Sequence, residues 1–134
     1  MSALSNYLEN ALISHVLRNT AFTTPGTSVY VGLIKFYETD TLEAGTLTQE
    51  VSGGSYARVQ VTAWDAPSNG ATQNTGATTF PTSTSDWGMV SGVFIADAST
   101  DGNVLLHGSL TSARDVNSGD VFKFNAGDLD ITFA

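Results

Sequence analysis

Short β-prone runs follow one another from residue 28 to the end of the chain, and turn-forming residues separate them. The most apolar run, MVSGVFIAD at 89–97, is followed by the turn residues 99–103 and a second apolar run at 104–110, which predicts a β-hairpin. Other runs of this kind lie at 28–36, 56–64, 77–80, 121–125 and 129–133. This succession predicts a mostly β fold, either an antiparallel β-sandwich or an open barrel.

The individual runs differ in how they should be buried. SVYVGLIKF at 28–36 is β-prone on both faces, which predicts a strand covered on both sides. The run at 56–64 alternates apolar and polar residues, and in the last run we expect Leu129, Ile131 and Phe133 to point inward. Two segments predict loops: the acidic stretch 38–54 and the turn-rich stretch 65–76, where Asn69-Gly70 favours a tight turn.

The N-terminal segment has a helical period instead. One apolar stripe contains Leu4, Leu8, Ala11, Leu12, His15 and Val16. Their spacing predicts a helix over about residues 3–19, with Ser2 or Ser5 as the N-cap. We expect this helix to pack across one face or edge of a β domain of about residues 28–134. No repeat or linker divides the chain, so a single domain of residues 1–134 is predicted.

Charge and composition exclude several classes of function. The formal net charge is −8, and the five basic residues are scattered singly, which disfavours contact with nucleic acid. The chain has no cysteine and therefore no disulfide framework or thiolate metal site. No apolar run approaches the roughly 20 residues of a membrane span, and Glu9 interrupts any signal-peptide pattern. We expect a soluble protein that is synthesised in the cytoplasm and has no membrane partner.

The titratable residues do not form a recognisable catalytic pattern. Neither His15 nor His107 stands in a nucleophile, metalloprotease or phosphate-loop motif. Four aspartates cluster near the C-terminus: Asp115, Asp120, Asp128 and Asp130. A glycosidase would need two carboxylates facing across a cleft, whereas aspartates at turns usually accept hydrogen bonds from local backbone amides. We therefore expect a protein that is not an enzyme and needs no cofactor.

The segment DASTDG at 97–102 resembles the opening of a calcium loop, because Asp97 and Asp101 occupy ligand positions and Gly102 follows. The pattern lacks its final bidentate Glu, since Gly108 stands there. A hairpin turn explains Asp101-Gly102 without a metal, so no metal site is predicted.

Aromatic residues offer a further possibility. A sugar-binding platform could draw on Tyr30, Tyr37, Tyr56, Trp64 and Trp87. Aromatic residues of a small β domain also serve as core or interface residues, and the sequence alone leaves these alternatives open.

Several segments, in order along the whole chain, resemble a family of small virion structural proteins of tailed phages. They are SNYLEN at 5–10, VYVGL at 29–33, EVSGGSYAR at 50–58, TFPT at 79–82, WG at 87–88, FIAD at 94–97, GNVL at 102–105, VNSGD at 116–120 and FNAGDL at 124–129. Members of that family are labelled tail fibre or minor structural proteins, and similar small β subunits decorate or cement capsids. The stretch 35–48 departs from the family pattern, because it lacks the proline expected after the first strand. The resemblance implies no catalytic, metal or cofactor residue.

The resemblance implies a virion component. We expect a capsid decoration or cement subunit, and as the alternative a tail fibre or receptor-binding module that contacts host-surface glycan. Its partners would be the major capsid protein or tail proteins and further copies of itself, with a trimer favoured. Tyr56, Arg58, Trp64 and Trp87 are the possible interface residues. Arg58 would pair with a carboxylate of its own or a neighbouring subunit, or else face solvent.

Overall fold

The computed structural model describes residues 3–133, which form two helices and nine strands. The helices are α1 (Asn6–Leu17) and α2 (Thr39–Glu43). The strands are β1 (Ala3–Leu4), β2 (Tyr30–Ile34), β3 (Val59–Gln60), β4 (Ala71–Gln73), β5 (Thr78–Thr79), β6 (Gly88–Ala96), β7 (Val104–Val116), β8 (Lys123–Phe124) and β9 (Asp130–Thr132). The predicted mostly β class with an N-terminal helix is confirmed.

A five-stranded antiparallel sheet forms the centre of the fold, in the order β1-β7-β6-β2-β3. Its longest strands, β6 and β7, form the predicted hairpin, which closes where the Asp97 amide donates to the Asn103 carbonyl over 3.2 Å. Strand β7 continues to Val116, beyond the predicted end at residue 110. Two small antiparallel sheets, β4-β9 and β5-β8, complete the β structure.

Strand β2 is covered on both faces, as its composition predicts. Val31 and Leu33 point into the main core, where the segments of the small sheets contribute Phe80, Phe124 and Ile131. On the other face, a second buried cluster contains Ile34, Leu42, Phe94, Ala96 and Val104. Alternate side chains of one strand thus serve two apolar layers.

The N-terminal helix is shorter than predicted, because residues 3–4 pair with β7 before the helix begins at Asn6. Ser5 is the N-cap. Its Oγ accepts a hydrogen bond from the Leu8 amide over 3.2 Å and donates to the Val104 carbonyl, while its own amide donates to the Leu105 carbonyl. These bonds to β7 fix where the helix can start. The other predicted cap, Ser2, lies outside the described residues.

Other segments also differ from the sequence predictions. The acidic stretch 38–54 contains α2, and the turn-rich stretch 65–76 contains β4. The run at 56–64 pairs with β2 only through β3. Further along the chain it pairs with the β4 segment, where the Asp65 amide donates to the Gln73 carbonyl and the Thr75 amide donates to the Ala63 carbonyl. The run therefore leaves the large sheet to join the β4 segment, and so cannot form one continuous strand.

The C-terminal strand matches its prediction in part. Leu129 and Ile131 are buried, but Phe133 is exposed. The Phe133 amide donates to the Gly70 carbonyl over 2.7 Å, so this residue meets the 68–71 turn through its backbone. That turn has the predicted tight geometry, with φ of 54° at Asn69 and 76° at Gly70. Neither helix of residues 3–133 is long and apolar enough to cross a membrane.

Candidate functional site

Arg58 lies at the centre of a buried hydrogen-bond network, with only 2% of its side chain exposed. Its Nε and Nη2 donate to Glu50 Oε2 and Oε1 over 2.8 and 2.9 Å, a bidentate pairing. Its Nη1 donates to the carbonyls of Ala98 and Asp101 over 2.8 and 2.9 Å. The guanidinium also lies 4.9 Å from the centre of the Phe94 ring. The partner of Arg58 is therefore a carboxylate of its own chain.

Tyr56 extends this network into the core. Its hydroxyl donates to Glu50 Oε2 over 2.9 Å and accepts a hydrogen bond from the Leu33 amide over 3.0 Å. Gly32 makes room for this arrangement, because a Cβ there would lie 2.3 Å from the Phe94 ring and 2.9 Å from the Tyr56 hydroxyl. The cluster is closely packed at this point.

The electrostatics of the cluster favour a neutral tyrosine and a charged arginine. Burial raises the pKa of Tyr56, and the negative charge of Glu50 raises it further. Burial would lower the pKa of Arg58, but the hydrogen bond and charge of Glu50 outweigh it and raise that pKa. Tyr56 is therefore a hydrogen-bond donor here and cannot act as a general base near neutral pH.

The four residues predicted for an interface occupy different environments. Arg58 and Trp87 are buried, and Trp87 Nε1 donates to the Gly54 carbonyl over 2.9 Å. Tyr56 is half-buried and meets Trp87 edge-on, with ring centres 5.5 Å apart. Trp64 is half-buried against the main core. Their role in an interface stays a prediction.

The calcium-like loop is occupied by protein donors. The Asp97 carboxylate accepts hydrogen bonds from the Asn103 amide and side chain over 2.7 and 2.9 Å. The carbonyls of Ala98 and Asp101 accept hydrogen bonds from Arg58 instead of binding a metal ion. Within residues 3–133, no group of three or more His, Cys, Asp or Glu side chains could hold a metal ion. The segment forms a hairpin turn held by its own side chains.

Of the five aromatic residues considered for a sugar platform, Tyr30 is half-buried at the start of β2, and the other four are divided between two places. Tyr56, Trp64 and Trp87 belong to the main core, whereas Tyr37 packs against the second cluster on the other face of the sheet. The Tyr37 hydroxyl lies 2.8 Å from His107 Nδ1. These side chains do not form a common exposed surface.

The two histidines and the four aspartates near the C-terminus lie in different environments. His107 is buried, and burial lowers its pKa, although Glu43 and Glu9 act in the opposite direction. His15 is exposed, not packed on the sheet, and its Nδ1 lies 3.2 Å from the Thr20 carbonyl. The carboxylates of Asp120 and Asp128 close their turns by accepting from the amides of Asn117 and Asn125 over 2.9 and 2.8 Å. Asp115 and Asp130 are exposed on β7 and β9.

Two surface features were missed by the sequence analysis. The first, the helix patch, consists of Ile13, Val16 and Leu17, whose residues are 54%, 73% and 77% exposed. Val16 and Leu17 lie three and four residues after Ile13, so all three share one side of α1. Val16 was predicted to lie on the packed apolar stripe, but it is exposed. Ile13 and Leu17 are apolar residues outside that stripe, and they were the signal in the sequence for a second apolar side of the helix.

The second feature is the β7 groove, a cleft of about 300 Å³ between residues 109–114 and the segment 122–129. Val90 of β6 pairs with Arg114 of β7, and Gly92 pairs with Ser109. Between these two pairs β7 has more residues than β6, so the extra residues of β7 bulge out of the ladder and form the groove. The sequence carries no clear signal for a bulge of this kind, which depends on the register between two strands.

Comparisons with known proteins give one positive result. No curated protein matches the sequence. The family model described as podophage GP4 fiber I protein gp80 matches residues 3–132, which is nearly the whole chain. This result confirms the predicted membership of a tailed-phage structural family. The chain belongs to the podophage GP4 fiber I protein gp80 family.

Proposed function

We propose that this protein is a non-catalytic subunit of a phage tail fibre, acting in the virion as a structural component. The observation that carries the proposal is the family match over residues 3–132, whose description names a fibre protein. It favours the tail-fibre alternative over the capsid decoration subunit that the sequence analysis placed first.

The reactive side chains support a non-catalytic role, because internal contacts already occupy them. Glu50 is held by Arg58 and Tyr56, and Asp97 is held by Asn103. Asp120 closes its own turn. An active site would instead place such groups together in a cleft that substrate can enter.

The helix patch is our proposed contact with a second copy of the chain. Three neighbouring apolar side chains at the end of a helix lose unfavourable water contact when a partner covers them. A stable interface buries about 800 Å² on each partner, so the patch would be the apolar centre of a larger surface. The predicted trimer is one closed arrangement that such contacts could form.

Locating the protein on intact particles tests the fibre proposal. We expect gold-labelled antibodies raised against the chain to decorate the tail, and quantitative mass spectrometry to give a few tens of copies or fewer per particle. Antibodies against the major capsid protein serve as the control for head labelling. Labelling spread over the head at hundreds of copies would contradict the fibre proposal and restore the decoration hypothesis.

A further inference from the structure

We infer that the β7 groove binds a neutral, hydroxyl-rich sugar, one or two rings in size. The inference deepens the proposed function, on which its biological meaning rests, by naming the class of ligand that this fibre subunit would contact. It places the site away from the aromatic residues that the sequence analysis considered.

The groove has an apolar floor and a polar rim. Its floor is formed by buried side chains, among them Phe122 and Leu129. Its rim is formed by the exposed residues Ser109, Thr111, Ser112, Arg114 and Asp128. A pyranose ring has the complementary division, with C–H groups on its faces and hydroxyl groups around its edge. A sugar ring lying on the floor would direct its hydroxyl groups to the rim.

The rim carries polar groups that the protein itself leaves available. Within residues 3–133, the side-chain hydroxyls of Ser109, Thr111 and Ser112 make no hydrogen bond, and Arg114 makes no hydrogen bond or ion pair. No residue between Ser109 and Arg114 has a register partner on β6. A small ligand would therefore replace water at these groups without breaking hydrogen bonds of their side chains within the protein.

Arg114 is held in a position suited to recognition. Its guanidinium lies 5.4 Å from the centre of the Phe122 ring, a cation–π contact that orients the planar group and leaves its N–H edge free. Asp128 supplies a carboxylate on the same rim, and one of its oxygens is already bonded to the Asn125 amide. A donor fork and an acceptor together match a hydroxyl-bearing ring, since each hydroxyl both donates and accepts.

Charge argues for a neutral ligand. The chain carries a formal net charge of −8, and at the groove the carboxylate of Asp128 offsets the positive charge of Arg114. A polyanionic glycan would be repelled by this field, whereas a neutral sugar would not. The volume of about 300 Å³ lies at the lower end of the range for small-molecule sites, which limits the ligand to one or two rings.

Titration of the isotope-labelled full chain with neutral sugars tests the inference. The probes are glucose, galactose, mannose, rhamnose, N-acetylglucosamine and maltose, with glucuronate as the acidic comparison. For at least one neutral sugar, we expect saturable shifts of amide signals from residues 109–114 and 128–129. Arg114→Ala should weaken that binding at least about tenfold, the loss expected for one charge-assisted hydrogen bond.

Arg18→Ala is the matched control, because it removes an exposed arginine outside the groove and should leave the affinity unchanged. The amide spectrum of each variant reports whether its fold is intact. Absence of shifts with every neutral sugar, shifts that map elsewhere, equal binding by Arg114→Ala, or binding of glucuronate alone would each overturn the inference. Tail labelling is measured separately, so failure of the sugar site and failure of the fibre assignment can be distinguished.

Discussion

Arg58 connects its own segment with Glu50 and with a turn that is distant in sequence. Its four hydrogen bonds reach Glu50, eight residues away, and the carbonyls of Ala98 and Asp101, which are 40 and 43 residues away. Burying a guanidinium is unfavourable unless charge and hydrogen bonds compensate it. Here both are supplied, so the side chain fixes the β6–β7 turn against the segment that leads into β3.

Removing Arg58 should therefore destabilise the fold strongly. Arg58→Ala leaves the Glu50 carboxylate without its cationic partner and two carbonyls without this donor, and we expect the free energy of unfolding to fall by about 3–5 kcal/mol. Arg58→Lys keeps the charge but loses the bidentate geometry, so its loss should be smaller. Urea denaturation followed by tryptophan fluorescence measures both changes.

Arg18→Ala provides the comparison for Arg58, because Arg18 is exposed at the end of α1. A surface substitution of this kind should change the free energy of unfolding by no more than about 0.5 kcal/mol. If Arg58→Ala were no more destabilising than Arg18→Ala, the network would not contribute to stability as its geometry indicates.

At the scale of helices and strands, the pattern of residue types predicted those elements whose partners are close in the sequence. The β6–β7 hairpin and the Asn69-Gly70 turn depend on residues close together in the chain, and both are confirmed. The run at 56–64 was predicted as one strand because its alternation is regular. Its true pairing changes from β2 to the β4 segment, and alternation does not reveal which neighbour a strand will meet.

The candidate sites were harder to predict for the same reason. Arg58 was singled out as one of few cations, but its burial depends on a partner and on loop carbonyls that only the fold brings together. The β7 groove depends on a bulge, where β7 has more residues than β6 between the same two register pairs. The type of a residue indicated which chemistry it could contribute. Its spacing along the sequence did not predict which residues the fold brings together.

The exposed side of helix α1 changes from polar to apolar along its length. Leu8 is buried and Leu12 is half-buried on the inner side. The outer side begins with polar residues such as Asn6 and Asn10 and ends with the helix patch of Ile13, Val16 and Leu17. The C-terminal half of α1 is therefore the part of the helix available to a partner.

A charge in the helix patch should disrupt self-association without unfolding the subunit. We expect the wild-type chain to form an oligomer in sedimentation equilibrium, and Leu17→Glu to raise its dissociation constant at least about tenfold, since a carboxylate would be buried at the contact. Phe36→Glu is the control, because Phe36 is 62% exposed but lies outside the patch. A monomeric wild type, or equal effects of the two substitutions, would argue against the patch as an interface.

For the molecule as a whole, the free energy of unfolding should depend on pH through two opposing effects. At neutral pH the chain is acidic, with a formal net charge of −8, and protonation of surface carboxylates relieves repulsion among them. His107 acts in the other direction. It is buried in β7 beside the Tyr37 hydroxyl, and its Nε2 has no hydrogen-bond partner within residues 3–133. A proton added there would be a buried charge without an acceptor.

The sign of the His107 contribution follows from its lowered pKa. Burial holds the pKa in the folded protein below the ordinary value of about 6.5, while the charges of Glu43 and Glu9 offset only part of the shift. Below about pH 6.5 the unfolded chain therefore binds a proton that the folded chain does not. Stability is lost as the pH falls, by at most about 1.4 kcal/mol per pH unit, until the folded histidine also titrates.

Comparison with variants separates this contribution from that of the surface carboxylates, which are the same in every chain. We expect the free energy of unfolding, measured by urea denaturation at a series of pH values from 7.5 to about 5, to depend less steeply on pH in His107→Gln than in the wild type. His15→Gln is the control, because it removes a histidine from an exposed position. The difference between the two variants isolates the buried imidazole, since each loses one histidine. Parallel pH profiles for both would mean that His107 accepts its proton in the folded state as easily as in the unfolded chain, and that its environment includes an acceptor for Nε2.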